Sequence, residues 1–178
     1  MQFQRVEFRS PAYYQSLALR YDVLRNPLGL HFSKSDLVPD QTSLHFVGIK
    51  DNQVVACLIL SGESNKINIG NRSSGSYSDD LYKFRTEGIL LQSELRNNSD
   101  SVVFKMRQVA VNSSLQGKGI GKQLIQFVEI EAQKIGITHF ELNARKSAVP
   151  FYLSMNYKIA SDEFQEVGIP HFKMKKAL

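Results

Sequence analysis

The sequence predicts a single α/β domain with a mixed β-sheet flanked by helices. Two apolar runs, residues 44–49 and 54–60, are separated by four polar residues and predict an antiparallel hairpin. Further along, an apolar strand, a glycine-rich turn, an amphipathic helix and a second strand follow one another between residues 102 and 142. This order is typical of a β-α-β unit, in which a right-handed crossover leaves the two strands parallel. Antiparallel and parallel pairs in one chain therefore indicate a mixed sheet.

Composition favours a globular protein of one domain, residues 1–178. Hydrophobic residues make up 42% of the chain and charged residues 22%, which is ordinary for a chain that buries its own core. No apolar run approaches the ~20 residues of a membrane-spanning helix, and the first residues lack the apolar segment of a signal peptide. Cys57 is the only cysteine, so no internal disulfide forms. It is interpreted as a core residue. We expect a cytoplasmic protein without a membrane partner.

The net charge of +5 makes nucleic acid a class of partner to consider. The basic residues are spread along the chain without a block of five or six like charges. Aromatic residues do not alternate with basic clusters as they do in RNA-binding sheets. We therefore expect no nucleic-acid partner, and a ligand with several phosphates accounts for the modest positive excess. No metal site is expected either.

The N-terminal third predicts a helix that begins at Ser10, as the N-cap, with Pro11 in its first turn. The helix is expected to end at Asn26, because the residue before a proline is disfavoured in the α region. Its buried face is predicted, from apolar residues every three or four positions, to consist of Tyr14, Leu17, Tyr21 and Leu24. Residues 28–43 are predicted to form a polar loop. Residues 61–101 are interpreted as an insertion or an extended hairpin, with a short strand near 67–69 and a helix or strand near 88–95.

The remaining elements are predicted from periodicity and turn residues. Gly136 is expected to cap the long helix, and Asn156 is expected in the left-handed region that follows a short helix. The predicted strands cover residues 102–111, 138–142, 157–160 and 172–174, and the predicted helices cover residues 119–135 and 147–155.

The glycine-rich turn carries the strongest functional signal. Gly117, Gly119 and Gly121 alternate with other residues at the start of the long helix, so the backbone can bend tightly and approach a ligand closely. The first N–H groups of a helix lack intrahelical partners and lie at its positive end, which makes an anion site. A phosphate loop of the P-loop type would need Gly at 116 and Ser or Thr at 123, and a dinucleotide fingerprint would need Gly at 122. These positions hold Gln116, Lys122 and Gln123, so both types of site are excluded.

Three segments of the C-terminal half resemble the GNAT superfamily of N-acetyltransferases. Residues 116–121, Gln-Gly-Lys-Gly-Ile-Gly, resemble its pyrophosphate-binding loop when the first glycine is shifted by one. Residues 148–157 resemble the element Ala-x-x-Phe-Tyr-x-x-x-Gly-Phe, with Asn156 in place of Gly and Tyr157 in place of Phe. Residues 162–174 are similar to the ElaA-like branch, with its acidic-Gly-Ile-Pro-His ending.

The resemblance implies the GNAT acyl-CoA N-acyltransferase fold, a mostly antiparallel mixed sheet with a central splayed pair of parallel strands. It also implies acetyl transfer from acetyl-CoA, as cosubstrate, to the amine of a small-molecule or peptide acceptor by direct attack. The main chain of Val109, Ala110 and Val111 would hold the pantetheine and acetyl groups. The pyrophosphate would be held by Gln116, Gly117, Lys118, Gly119, Ile120, Gly121 and Lys122.

Individual side chains also have candidate roles. By the resemblance, Tyr152 matches the tyrosine that acts as general acid. Asn143 would bond the pantetheine amides or an ordered water, because ligands collect at strand ends in such sheets. His171 is the candidate general base, with His139 or a chain of water molecules as the alternatives. Arg20 and Arg25 border the end of the first helix, where they would receive an anionic acceptor or form a solvated face.

Two other function classes stay open beside the enzyme. One is a non-catalytic module that binds or senses acyl-CoA, and the other is a protein-interaction domain that uses residues 61–101. A homodimer also stays open.

Overall fold

The computed structural model describes residues 1–62 and 101–178. The elements predicted near residues 67–69 and 88–95 lie outside these ranges. The described strands form one sheet in the order β1-β2-β3-β4-β5-β8-β6, with β7 paired to β8. They are β1 Gln2–Val6, β2 Leu44–Lys50, β3 Gln53–Gly62, β4 Val103–Val111, β5 His139–Arg145, β6 Lys158–Ile159, β7 Phe164–Glu166 and β8 Ile169–Ala177. The α-helices are α1 Pro11–Arg20, α2 Lys34–Leu37, α3 Ile120–Lys134 and α4 Val149–Leu153.

The predicted hairpin is confirmed as β2 and β3, which pair antiparallel. Its turn residues, Asp51 and Asn52, have φ of 51° and 61°, as a two-residue turn with both central residues left-handed requires. Strand β1 was not predicted, and it pairs antiparallel with β2 at the edge of the sheet. Only two of its five residues are aliphatic or aromatic, so its strand character depends on the partner beside it.

Helix α1 begins as predicted, because the Ser10 side chain accepts a hydrogen bond of 3.2 Å from the Tyr13 N–H. The predicted buried face is wrong. Tyr14 is 55% exposed, and the buried residues of the helix are Tyr13, Ser16, Leu19 and Arg20. Two of these four are polar, so hydrophobic periodicity alone points to the wrong face. The helix continues as a π-helical segment, Tyr21–Arg25, before a 3₁₀ turn at Asn26–Leu28.

The prediction of a polar loop at residues 28–43 is also wrong in its second half. Ser33 and Asp36 form a capping box that starts α2, and a 3₁₀ helix, Val38–Thr42, follows it. The capping box satisfies the first N–H groups of a helix that is too short to be recognised by periodicity.

The predicted β-α-β unit is confirmed, because β4 and β5 run parallel on either side of α3 in the chain. Helix α3 buries Leu124, Ile125, Val128 and Ala132 against one face of the sheet. Helix α1 and the π-helical segment cover part of the other face, where Cys57 lies in the core as predicted. Asn156 has φ of 67°, which confirms the left-handed turn.

The C-terminal strands differ from prediction in extent. The strand predicted at residues 172–174 is the centre of a nine-residue strand, β8, and β7 was not predicted. No helix in the two described ranges is long and apolar enough to cross a bilayer.

Candidate active site

Strands β4 and β5 separate after a short paired stretch. They are in register only at Val103–His139, Phe104–Phe140 and Lys105–Glu141. Strand β4 continues to Val111 and β5 to Arg145, so the carboxyl halves of the two strands border an opening between them. The predicted splay of the central parallel pair is thus present. Openings at the carboxyl ends of parallel strands are where open α/β sheets bind ligands.

A β-bulge in β4 lies beside this opening. The register with β3 shifts between Cys57 and Ile59, and Gln108, opposite the shift, has φ of 50°. The extra residue of a bulge bends its strand and increases the twist, which directs β4 away from β5. Sequence analysis did not find Gln108, because neither glycine nor asparagine marks the bulge.

A buried ion pair holds the Gln108 side chain. Arg20 Nη1 donates to Gln108 Oε1 at 2.9 Å, and Arg20 Nη2 donates to Asp40 Oδ2 at 2.8 Å. Neither Arg20 nor Asp40 has any exposed side-chain surface. Tyr13 also donates to Asp40 Oδ2 at 3.0 Å, and burial, followed by the Asp40 charge, raises the pKa of Tyr13 to about 12. Arg20 is therefore a structural residue, and the expectation that it receives an acceptor is wrong.

Main-chain donors on β4 point into the opening. The Asn112 N–H donates to Val55 O in β3 at 2.8 Å, and N–H directions alternate along a strand. The N–H group of Val111 therefore points away from β3, towards the opening. The Ala110 main chain pairs with Cys57 on β3, and Val109 lies beside the bulge, where the alternation is interrupted. Of the three predicted positions, Val111 consequently presents a donor to the opening.

The glycine loop continues directly from the end of β4. Gln116 Nε2 donates to Val111 O at 3.0 Å, and Lys118 Nζ donates to Ser114 O at 3.1 Å, so both side chains fold back onto the loop. Gly117 and Gly119 have φ of 73° and 77°, a conformation that costs little only for glycine. The loop backbone is thereby fixed in a tight bend.

Helix α3 starts immediately after this loop. Gly119 is its N-cap, and its first turn contains no acidic residue. The N–H groups of Ile120, Gly121 and Lys122 precede the first helical hydrogen bond, which runs from Gln123 N to Gly119 O at 3.0 Å. These donors and the positive end of the helix dipole form an anion site at the end of the opening.

Tyr152 lies in α4 and is 7% exposed. Its ring packs edge-on against Phe151 and Tyr157, with centroids 5.1 and 5.6 Å away. Burial raises the pKa of Tyr152, so its hydroxyl stays protonated at neutral pH. A raised pKa makes the phenol a weaker acid than the unperturbed group assumed from sequence, while its capacity to donate a hydrogen bond is kept.

His171 and Asn143 both lie on the face of the sheet opposite α3. His171 pairs in register with Arg145 and is 6% exposed. Its Nδ1 lies 2.8 Å from Ile169 O, and because a carbonyl only accepts, Nδ1 carries the proton and Nε2 is left to accept one. Asn143 Nδ2 donates to Glu166 Oε2 at 2.6 Å, which leaves the amide oxygen as an acceptor. His139, the alternative base, lies at the start of β5, in the paired stretch away from the opening.

Comparison with known proteins shows the family of this chain. The sequence profile of the acetyltransferase (GNAT) domain matches residues 85–178. A Bacillus subtilis protein described as the uncharacterized N-acetyltransferase YjcF is 37% identical over 73 residues, which are 40% of this chain and 52% of that protein. The chain spans about half the length of the curated relatives it matches.

Solved structures with low sequence identity share the fold. An acyl-CoA N-acyltransferase from Pseudomonas aeruginosa superposes with a TM-score of 0.69 at 19% identity, over 99% of both chains. Escherichia coli ElaA superposes with a TM-score of 0.68 at 19% identity, also over 99% of both chains. The fold is that of the GNAT acyl-CoA N-acyltransferases, as the sequence predicted. With a family profile that covers more than half of its length, the chain belongs to the GNAT acetyltransferase family.

Proposed function

We propose that the protein is an acetyl-CoA-dependent N-acetyltransferase that acts on the amine of a small-molecule or peptide acceptor. One observation carries the proposal: the edge of β4 that borders the opening, with the Val111 N–H directed into it, leads directly to the helix N–H groups at the start of α3. Coenzyme A joins an extended arm with two amide groups to a diphosphate. Its chemistry therefore suits a strand edge that ends at helix N–H groups.

The residues of the loop fit the phosphate end of this cosubstrate. A Cβ built on Gly117 would meet no protein atom within 4 Å, so the backbone is accessible there. In the proposed complex, residues 116–122 hold the diphosphate and β4 holds the arm. When bound, acetyl-CoA supplies an acetyl group activated as a thioester.

Three groups of the chain are proposed to act in transfer. The Val109 N–H donates to a carbonyl oxygen in the opening, where a fixed dipole stabilises developing negative charge. His171 Nε2 takes the proton of the acceptor amine. Tyr152, kept protonated by burial, donates a hydrogen bond to the departing sulfur. Direct attack is proposed because Cys57 is 1% exposed and burial raises its pKa to about 12, which leaves it unsuited as a nucleophile.

The test is thiol release from acetyl-CoA with a panel of amines, combined with calorimetry of CoA binding. Tyr152→Phe should lower kcat by about 10- to 100-fold, as loss of a proton-transfer or hydrogen-bonding group does, while CoA affinity stays within a factor of two or so. Tyr157→Phe is the matched control, because that hydroxyl donates to Glu129 at 2.9 Å, and it should lower stability without lowering kcat.

Each failure of this test has a distinct meaning. CoA binding without thiol release for any amine would replace the enzyme by a non-catalytic acyl-CoA-binding module. Absence of CoA binding would refute both functions.

A further inference from the structure

Three arginines gather on the face of the sheet opposite α3. Arg107 lies on β4 and Arg145 on β5, on the two sides of the opening. Their neighbours Met106 and Ala144 are buried in the core beneath α3, so strand alternation directs both arginines to the other face. Arg25 ends the π-helical segment that covers this face.

The π-helical segment connects the two sides of the opening. It packs against β4, and Arg145 Nη2 donates to the carbonyl of Leu24 at 3.2 Å, one residue before Arg25. Hydrogen bonds from Ser33 lower the pKa of Asp36, and the charges of Arg25 and Arg107 lower it further. Arg25 and Arg107 therefore both lie on the side of the protein where the Asp36 carboxylate lies.

These guanidinium groups have donors to spare. Across residues 1–62 and 101–178, the side chains of Arg25 and Arg107 form no hydrogen bond and no ion pair, and Arg145 uses one donor. The Arg25 Nε is buried without a partner. The Arg25 Cζ lies over the ring of Phe32, 5.0 Å from its centroid, so the guanidinium packs against the aromatic face. A buried donor without an acceptor is costly, and a ligand oxygen would remove that cost.

The chemistry of this cluster selects an anion. A guanidinium presents its donors in a planar fork that matches the two oxygens of a carboxylate, a phosphonate or a sulfonate. Three such groups on one face repel a polyamine and attract a negatively charged group. His171 pairs in register with Arg145 on this same face, which brings the proposed base and the anion-binding donors to one side of the opening.

We infer that the acceptor carries an anionic group in the same molecule as its reactive amine, as an amino acid does, and that Arg25, Arg107 and Arg145 bind this group. The inference rests on the proposed function, since it names the acceptor class of the same site. The sequence expectation that Arg25 receives an anionic acceptor is kept, and Arg107 and Arg145 are added to it. Arg20 is left out, because it is buried in its own ion pair.

The first experiment compares paired acceptors in the acetyl-CoA assay. Four amino acids are each compared with the amine that lacks their carboxylate: phenylalanine, tyrosine, leucine and lysine. Aminomethylphosphonate and taurine are also measured, because they carry a phosphonate and a sulfonate in place of the carboxylate. The anionic member of the favoured pair should have a kcat/KM about 10- to 100-fold higher, as one charge-assisted contact provides. Equal or higher kcat/KM for the decarboxylated amines would overturn the inference and leave the acetyltransferase proposal standing.

Variants assign the effect to the cluster. Arg107→Gln and Arg25→Gln should each raise KM for the anionic member about tenfold, with kcat little changed, and should reduce the preference. Arg9→Gln is the matched control, because Arg9 is exposed and precedes the opposite end of α1. An equal loss in Arg9→Gln, or an unchanged preference in the other two variants, would overturn the assignment.

A binding measurement separates this inference from the proposed function. Sodium sulfate is titrated into the protein at constant ionic strength, with sodium chloride as the control, and the arginine Nε–H signals are followed by NMR. Shifts for Arg25 and Arg107 but not for Arg9 would support the anion subsite even if no amine is acetylated. Absence of such shifts would overturn the inference, while the acetyltransferase proposal stands or falls by thiol release.

Discussion

The ion pair between Arg20 and Asp40 lies wholly inside the protein, with a nitrogen–oxygen distance of 2.8 Å and no exposed surface on either side chain. Asp40→Asn keeps the shape of the side chain and removes its charge. The variant leaves the Arg20 guanidinium buried without a counter-ion, with only neutral amide oxygens, that of Gln108 and that of the introduced asparagine, as acceptors. Removal of one partner of a buried pair typically costs about 3–5 kcal/mol, because the other charge is left uncompensated.

Urea unfolding measures this cost. With a slope of about 2 kcal/mol per molar urea, Asp40→Asn should lower the unfolding midpoint by roughly 1.5–2.5 M. The matched control is Glu163→Gln, because Glu163 and Lys146 are also 2.8 Å apart but have 38% and 64% exposed side chains. Exposed pairs contribute about 0–1 kcal/mol, so the control midpoint should shift by less than about 0.5 M.

The double variant Arg20→Met with Asp40→Asn completes the cycle. It removes the uncompensated charge, so its loss should be smaller than the sum of the two single losses by at least about 1 kcal/mol. If Asp40→Asn and Glu163→Gln cost the same, or if the single losses simply add, burial does not set the strength of this pair and our reasoning is wrong.

Two further predictions concern the loop and the core. Gly117→Ala and Gly168→Ala are a matched pair, because both glycines have φ of +73° and a Cβ on either meets nothing within 4 Å. Each should cost about 1 kcal/mol of stability, but only Gly117→Ala should weaken CoA binding by calorimetry; equal affinities would exclude Gly117 from the site. Burial raises the pKa of the Cys57 thiol to about 12, against an ordinary 9.0. Below pH 9 the thiol is protonated in both the folded and the unfolded chain, so stability is at its full value. As pH rises from 9 towards 12 the unfolded chain releases this proton first, and the free energy of unfolding falls by up to about 1.4 kcal/mol per pH unit. In urea series from pH 8 to 11, Cys57→Ala should therefore lose stability less steeply than the natural chain, and parallel curves would contradict this.

The elements that were predicted are those whose physical cause lies within a few residues. The N-cap at Ser10, the turn at Asn52 and the left-handed Asn156 depend on local backbone geometry. The β-α-β unit was predicted because its apolar periodicity spans a long helix. Strands β1 and β7 were missed, since short edge strands with mixed polarity become strands through the neighbour they pair with.

The candidate site divides in the same way. The glycine loop was predicted, because three alternating glycines before a helix have a direct backbone meaning. The bulge at Gln108 was not, since a left-handed glutamine has no sequence signature. The buried face of α1 was misread because Ser16 and Arg20 are polar yet buried, and the carboxylate that accepts the Arg20 hydrogen bond and allows its burial is that of Asp40, 20 residues away.

The sequence by itself determined a helix that starts at a tight glycine loop, since glycine at positions 117 and 119 and the unpaired first turn are properties of the local chain. Only the tertiary structure decided where β4 and β5 part, which polar groups are buried together, and that Arg25, Arg107 and Arg145 share one face. These features depend on strand register and on packing between segments as many as 121 residues apart, as in the bond from Arg145 to Leu24. Local sequence patterns do not predict contacts between residues so far apart in the chain, because the free energy of a buried polar contact depends on every partner that surrounds it.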